Sequence, residues 1–357
     1  MNKERFEKVL ENMKKHNIDQ MVITSPESIF YLLGEWIHPG ERMLALYVNK
    51  KSDAKLFINE LFPLKRDLGV DVCVYNDRED PIIYLSEVAS EDMVMGIDKD
   101  WPSHFLIRLL RQKDLKVEIG SIAVDEARVI KDMNERSLMR ESSKVNDKVM
   151  GDIVDILKEG MTEIEACNAL KDIYKKHGAK GVSFEPLICF GEGAAEPHHS
   201  SDDTALKKGD CVIIDIGGIK DNYCSDMTRS FIYGDSSEEY NKIYELVLKA
   251  NLAGIEAVKP GVYFSDIDKA ARNVIENGGY GKYFTHRTGH NIGISVHEYP
   301  DVGSANNMVV EEGMIFSIEP GIYMQGRFGV RIEDLVLVTN DGCEVLNKYP
   351  KELTALK

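Results

Sequence analysis

The chain of 357 residues has no apolar run approaching the ~18 residues of a membrane-spanning helix, so a helical span is not expected. It has no C-x-x-C pair either. Its six cysteines, Cys73, Cys167, Cys189, Cys211, Cys224 and Cys343, are scattered, mostly in apolar surroundings. They read as reduced, buried small residues of a cytosolic protein. Positive charge is short as well. Lys and Arg number 44 against 60 Asp and Glu, a formal charge of −16, which leaves no basic footprint for nucleic acid or an anionic membrane. That balance stays compatible with a small substrate and with divalent cations. A phosphate-binding glycine loop and a catalytic cluster are both missing from the first 125 residues. The expected compartment is the cytoplasm.

What is present fits a globular protein: 43% hydrophobic and 29% charged residues, in a chain long enough for two domains with their own cores. The opening stretch MNKERFEKVLENMKKHN places Phe6, Val9, Leu10 and Met13 at helical spacing among charges, an amphipathic helix rather than a signal peptide. Up to about residue 125, short apolar stretches (MVITS, RMLALYV, KLFIN, VDVCVYN, DMVMGID) alternate with helical patterns near 3–16, 81–89 and 103–112. Alternation of this kind predicts a small α/β domain over 1–125. From 126 to 357 longer helices take over. Thr162 with Glu165 forms a capping box ahead of a helix that closes at Gly178. Ser236 with Glu239, and Ser265 with Asp268, stand in the same relation ahead of two further helices.

The second region contains a near-repeat. TEIEA at 162–166 matches SDIDKA at 265–270, and KKGDCVIIDIGG at 207–218 matches EEGMIFSIEPGI at 311–322, an offset of 103–104 residues in both pairs. Each copy carries an acid six residues after its first glycine, Asp215 and Glu319. Each then runs into a second strand with another acid, Asp226 and Glu333. Asp215 and Asp226 are expected on the two arms of a hairpin, with GGIKDN as turn material. Taken singly, these acids have ordinary explanations: an aspartate at a strand edge or bulge, a glutamate at a strand end, Glu333 paired with Arg331. None of these explains the shared offset. Four carboxylates gathered in one core would repel one another unless cations lay between them. Oxygen ligands with one imidazole suit Mn²⁺, Co²⁺ or Zn²⁺. Candidates for the imidazole are His286, His290 and His297 in THRTGHNIGISVHEYP, a stretch whose glycines and β-branched residues favour extended chain and turns.

The blocks DIGG…SDMTR, HRTGHNIG…VHE, SIEPGIY and RIED resemble the pita-bread metallopeptidases, and within them prolidase and aminopeptidase P. The resemblance implies an α/β N-terminal domain followed by an α+β pita-bread domain with internal pseudo-twofold symmetry. It implies two divalent ions per chain, Mn²⁺ first, with Co²⁺ or Zn²⁺ as alternatives. Asp226 and Glu333 would bridge them, Asp215 would serve one ion, and His290 with Glu319 the other. Glu319 would also move the proton from the attacking water to the proline nitrogen. His198 would stand near the substrate, His297 would stabilise the tetrahedral oxyanion and His286 would line the pocket, while Arg331 and Thr228 would orient carboxylates. The implied substrate is a small peptide with proline in second position, and the implied assembly is a homodimer formed with the N-terminal domain. Three positions depart from the family pattern. Asn291 stands where many relatives have glycine, and Ser295 where an acid is frequent. Asp301 stands where many prolidases have an arginine that could grip a dipeptide carboxylate; a repelling Asp301 weakens the case for a strict dipeptidase. Non-peptidase hydrolase or lyase chemistry on the same fold, or a peptide-binding module without catalysis, are the alternatives, and the filled ligand positions disfavour both.

Overall fold

The computed structural model describes residues 1–197 and 199–357, which form two compact units, Met1–Arg128 and Val129–Lys357. In the first unit, α1 (Lys3–Lys15) begins at Asn2, whose side chain accepts the Arg5 N–H, and buries Phe6, Val9 and Met13. β1 (Gln20–Ile23) leads into α2 (Pro26–Leu33), capped by Ser25 and stopped by Gly34 at φ 67°. The apolar pattern of PESIFYLL is too short to reveal that helix, although a serine cap followed by proline is a good start signal. Then follow β2 (Ala45–Asn49), β3 (Ala54–Asn59), β4 (Asp71–Tyr75), α3 (Pro81–Val88), β5 (Met95–Ile97), α4 (Ser103–Gln112), β6 (Val117–Ile119) and α5 (Ile122–Val129). The six strands make one sheet in the order β4-β3-β2-β1-β5-β6. Pairings β3–β4, β1–β5 and β5–β6 are parallel, the other two antiparallel.

The second unit opens with α6 (Met133–Ile156), started by a capping box between Asp132 and Glu135. α7 (Glu163–Lys176) starts with the expected Thr162–Glu165 box. After β7 (Gly181–Val182) and β8 (Leu187–Phe190) comes β9 (Cys211–Ile216). The stretch expected to be a single turn is itself a small hairpin, β10 (Gly218–Lys220) and β11 (Tyr223–Cys224). Its tip places Asp221 and Asn222 at φ 49° and 72°, left-handed conformations that these two residue types tolerate. β12 (Met227–Tyr233) returns antiparallel to β9, with Thr228 opposite Asp215.

The second copy follows: α8 (Glu238–Ala257), α9 (Phe264–Asn277), β13 (Gly289–Asn291), β14 (Glu298–Val302), β15 (Ile315–Ile318), β16 (Gly321–Met324), β17 (Phe328–Arg331) and β18 (Asp334–Val338). β15 and β18 are antiparallel, with Ile318 opposite Asp334. Both expected caps shift. Ser237, not Ser236, accepts the Tyr240 N–H at the start of α8. At α9 it is Asp266 that reaches back to the Tyr263 N–H. Asp268 is buried instead and accepts from Arg272 and Thr288, so tertiary pairing takes it away from the cap.

Each hairpin carries a helix pair. α6 and α7 bury Met150, Ile153, Leu170 and Tyr174 against Ile214 and Phe231, while α9 sets Phe264 and Ile267 against Phe316, Ile318 and Val336. The hairpins meet directly: the Glu333 N–H donates to the Thr228 carbonyl at 3.1 Å, and Arg229 Nη1 donates to the Glu333 carbonyl at 2.6 Å.

Candidate metal centre

Strand ends deliver the acids. Asp215 is the penultimate residue of β9, and Asp226 immediately precedes β12. Glu319 immediately follows β15, and Glu333 lies one residue before β18. Because Thr228 faces Asp215 across the ladder, their side chains share one face of the hairpin. His290 is the middle residue of β13, which runs so close to β15 that a Cβ on Gly289 would lie 1.9 Å from the Ser317 carbonyl oxygen. Only glycine fits there, and it aims the next side chain, His290, at the acids. A cavity of about 270 Å³ results, lined by Asp215, Asp226, His290, Glu319 and Glu333, with His286, His297 and Arg331 among its other walls. One ligand atom each from Asp226, His290 and Glu333 lies within 4.8 Å of the others. His290 Nε2 is 3.5 Å from Asp226 Oδ2 and 3.6 Å from Glu319 Oε1.

Electrostatics single this cavity out. Asp215 Oδ1, Asp226 Oδ1 and Glu333 Oε1 are buried and have no hydrogen-bond partner. Buried carboxylate oxygens left in that state are costly, and three around one cavity describe a cradle for positive charge. Burial, followed by the neighbouring carboxylates, pushes Asp226 and Glu333 well above the ordinary carboxylate range. Burial raises Glu319 too. His290 is pushed by burial down to about 4. It is therefore neutral at pH 7, and its Nδ1 lies 3.1 Å from the Asn291 carbonyl. A proton on Nδ1 makes that bond and leaves the Nε2 lone pair facing the acids, the tautomer a metal ligand needs. The donor set fits divalent cations.

A hydrogen-bond chain fixes these groups. Arg331 donates from Nη2 to Asp215 Oδ2 at 2.7 Å and from Nε to Thr228 Oγ1 at 3.0 Å. Thr228 Oγ1 donates to Glu333 Oε2 at 2.7 Å. Arg331 is thus engaged with Asp215 and Thr228, not Glu333. Its Nη1 donates to Tyr323 Oη at 2.8 Å, and that hydroxyl lies 3.0 Å from His286 Nε2. The sequence reading missed Tyr323, although its two-residue spacing from Gly321 along β16 puts it on a defined face. Ser317 is another omission: its Oγ accepts the His290 N–H and donates to Glu319 Oε1. The His297 ring lies 4.3 Å from the His290 ring, and burial lowers its pKa to about 4. His198 lies outside the described residues.

Asn291 is buried and donates to the Pro300 carbonyl at 2.8 Å, fastening β13 to β14. Asp301 differs from the expectation of a bare repelling charge, because it accepts from Arg287, a cation of the cavity lining. Phe184, Leu187, Pro197 and Val296 give the cavity an apolar wall.

Buried unpaired carboxylates beside a neutral imidazole, at the meeting of two repeated hairpins, make a candidate site for divalent metal ions. Residues 137–340 match metallopeptidase family M24, and residues 5–130 match the creatinase/prolidase N-terminal domain. The chain belongs to family M24 and has its pita-bread fold behind an α/β N-terminal domain. An uncharacterized peptidase of Staphylococcus aureus (strain USA300) is 37% identical, over 97% of this chain and 99% of its own. The prolidase of Thermococcus sibiricus superposes with a TM-score of 0.94 at 32% identity, covering 100% of this chain and 99% of its own. The Xaa-Pro dipeptidase of Bacillus anthracis gives a TM-score of 0.90 at 30% identity, with 99% of both chains covered.

Proposed function

We propose that this protein is a two-metal exopeptidase that hydrolyses the peptide bond before proline. The observation that carries the reading is the cavity itself: unpartnered buried oxygens of Asp215, Asp226 and Glu333 beside His290 and Glu319, facing an apolar wall. Asp226 and Glu333 would contribute to both ions, Asp215 to one, and His290 with Glu319 to the other, Mn²⁺ being the first candidate. When bound, the ions supply Lewis acidity, which lowers the pKa of water and polarises the scissile carbonyl.

The chain's own residues do the rest. Glu319 takes the proton of the attacking water and returns it to the leaving proline nitrogen; the Ser317 hydroxyl holds its Oε1, which lies 3.6 Å from His290 Nε2. His297, neutral at pH 7, donates an N–H to the developing oxyanion. His286 has both ring nitrogens engaged, Nδ1 with the Arg287 carbonyl and Nε2 with Tyr323, so it shapes the pocket rather than moving protons. His198 is assigned to the substrate side from sequence alone. Phe184, Leu187 and Val296 offer the proline ring a surface that burial against apolar side chains favours.

Xaa-Pro dipeptides are substrates in this reading, without a large advantage over Xaa-Pro-Yaa tripeptides, because Asp301 engages Arg287 and so competes with a substrate carboxylate for it. The N-terminal unit is read as a dimer-forming element, which sedimentation of the purified chain tests. For the activity, an Xaa-Pro dipeptide, an Xaa-Pro-Yaa tripeptide and an Xaa-Ala dipeptide are compared with Mn²⁺ and after chelation. Cleavage of both proline peptides, abolished by the chelator and restored by Mn²⁺, is expected. Equal cleavage of the alanine peptide would remove the proline reading.

A further inference from the structure

Glu163 takes no part in the chemistry above, yet its carboxylate is wholly buried at the first residue of α7. Oε1 accepts the Phe190 N–H at 2.7 Å, Oε2 accepts the Asp202 N–H at 2.9 Å, and Oε2 also lies 2.8 Å from His199 Nε2. Phe190 ends β8, and Asp202 closes the segment that leaves it. One side chain therefore ties Phe190 and Asp202, which flank residues 191–197 and 199–201, and the ring of His199. By residue type, Glu163, His199 and Asp202 could pass for a cation site, but two backbone N–H groups already point at the Glu163 oxygens. Asp202 Oδ1 is engaged too, accepting the Thr204 N–H at 2.7 Å. This carboxylate is filled with donors, whereas those of the cavity are not.

The segment is close-fitting elsewhere too. A Cβ on Gly329 of β17 would lie 1.9 Å from the Ala194 carbonyl oxygen, and one on Gly193 would lie 3.1 Å from the His199 ring and 3.4 Å from Glu163 Oε1. Between these supports the segment contributes Pro197 to the wall of the metal cavity.

We propose that Glu163 is a positioning residue of the peptidase: with His199 and the Phe190 and Asp202 N–H groups it clamps segment 190–202, and thereby holds the Pro197 wall where the substrate packs. The kinetic part of this rests on the function proposed above; the clamp itself does not. An ionised acceptor binds such donors more strongly than a neutral amide. Glu163→Gln also turns an NH₂ toward a backbone N–H or toward His199.

The test joins hydrogen exchange by mass spectrometry to steady-state kinetics, on full-length wild type, Glu163→Gln, His199→Ala and the double variant, with and without Mn²⁺. In both single variants exchange across 190–202 should rise about tenfold or more, while residues 167–176 of α7 keep their protection. KM for an Xaa-Pro peptide should rise about tenfold with kcat within about threefold and Mn²⁺ content unchanged. The double variant should be no worse than Glu163→Gln alone, as expected of one shared unit. Unchanged exchange in both single variants would overturn the clamp. Raised exchange with unchanged KM would overturn its role in positioning. His199→Ala, partly exposed, decides the matter if Glu163→Gln does not fold. Should wild type cleave no Xaa-Pro peptide, the proposed function fails while the exchange measurement still decides the clamp.

Discussion

Glu333 and Asp334 are neighbours in sequence, both buried, and shifted in opposite directions by their surroundings. Asp334 accepts from Arg229 at 2.8 Å and also pairs with Lys351. Burial pushes its pKa up, but the two cations outweigh that and hold it below the ordinary 3.8. Glu333, facing the cavity, keeps Oε1 without a partner and is raised well above 4.5. The start of β18 thus carries a charge compensated within the fold, and the residue just before it a carboxylate with one oxygen left without a partner. Compensation marks structure; its absence marks a place for something the chain does not itself contain.

The comparison can be broken from either side. Asp226→Asn should produce the largest effect, lowering kcat/KM by roughly a thousandfold or more. Metal-free stability should hold or rise in the same variant, because one of several repelling carboxylates is gone. Full activity with wild-type metal content would remove Asp226 from the centre. Asp334→Asn should do the reverse. It leaves Arg229 and Lys351 facing a neutral group and should cost about 3–5 kcal/mol in urea unfolding, with metal content per folded chain kept. A variant as stable as wild type would show that the ion pairs contribute nothing net. Arg331→Lys should come next: it cannot hold Asp215, Thr228 and Tyr323 at once, and metal affinity should fall by about 10–100-fold.

pH separates the two kinds of carboxylate further. Asp226, Glu319 and Glu333 have raised pKa values in the fold. Their stabilising contribution is therefore present below their ordinary values of 3.8 and 4.5 and is lost as pH rises through the raised values. Asp334, lowered from 3.8, contributes above that value and loses its contribution as pH falls through the lowered one. Burial lowers His286, His290 and His297 from 6.5, so these add stability as pH rises and oppose the carboxylates, which are therefore read by difference. From about pH 5 to about pH 8 the metal-free Tm should change less favourably in wild type than in Asp226→Asn, and saturating Mn²⁺ should stabilise wild type more at the higher pH. Identical pH dependence in the two metal-free proteins would contradict the raised carboxylates. The smallest expected effect is that of Asp301→Arg, which should lower dipeptide KM about threefold relative to a tripeptide by adding a cation beside Arg287.

Much of this was legible in the residues. The offset of 103–104 residues placed Asp215 with Glu319, and Asp226 with Glu333 followed as the acid of the second strand in each copy, because acids in apolar strands stand out against the β period and because a repeat needs only local comparison. The Thr162–Glu165 capping box was legible for the same reason. Tyr323 and Ser317 were not, since a tyrosine and a serine in apolar strands look like ordinary packing until the partner strands are known. Glu163 was hidden for another cause: as the first residue of a helix it reads as a favourable charge at the dipole, and nothing nearby in sequence announces Phe190, His199 or Asp202 as partners. Asp301 misled because its effect depends on Arg287, fourteen residues away.

The most direct test is to titrate chelator-stripped wild-type protein with Mn²⁺ and count bound ions by equilibrium dialysis, beside Glu333→Gln and Asp334→Asn. The account predicts two ions per chain for wild type and for folded Asp334→Asn, and loss of tight binding in Glu333→Gln. Wild type that binds no Mn²⁺, Co²⁺ or Zn²⁺, or Glu333→Gln that binds as wild type does, would contradict it.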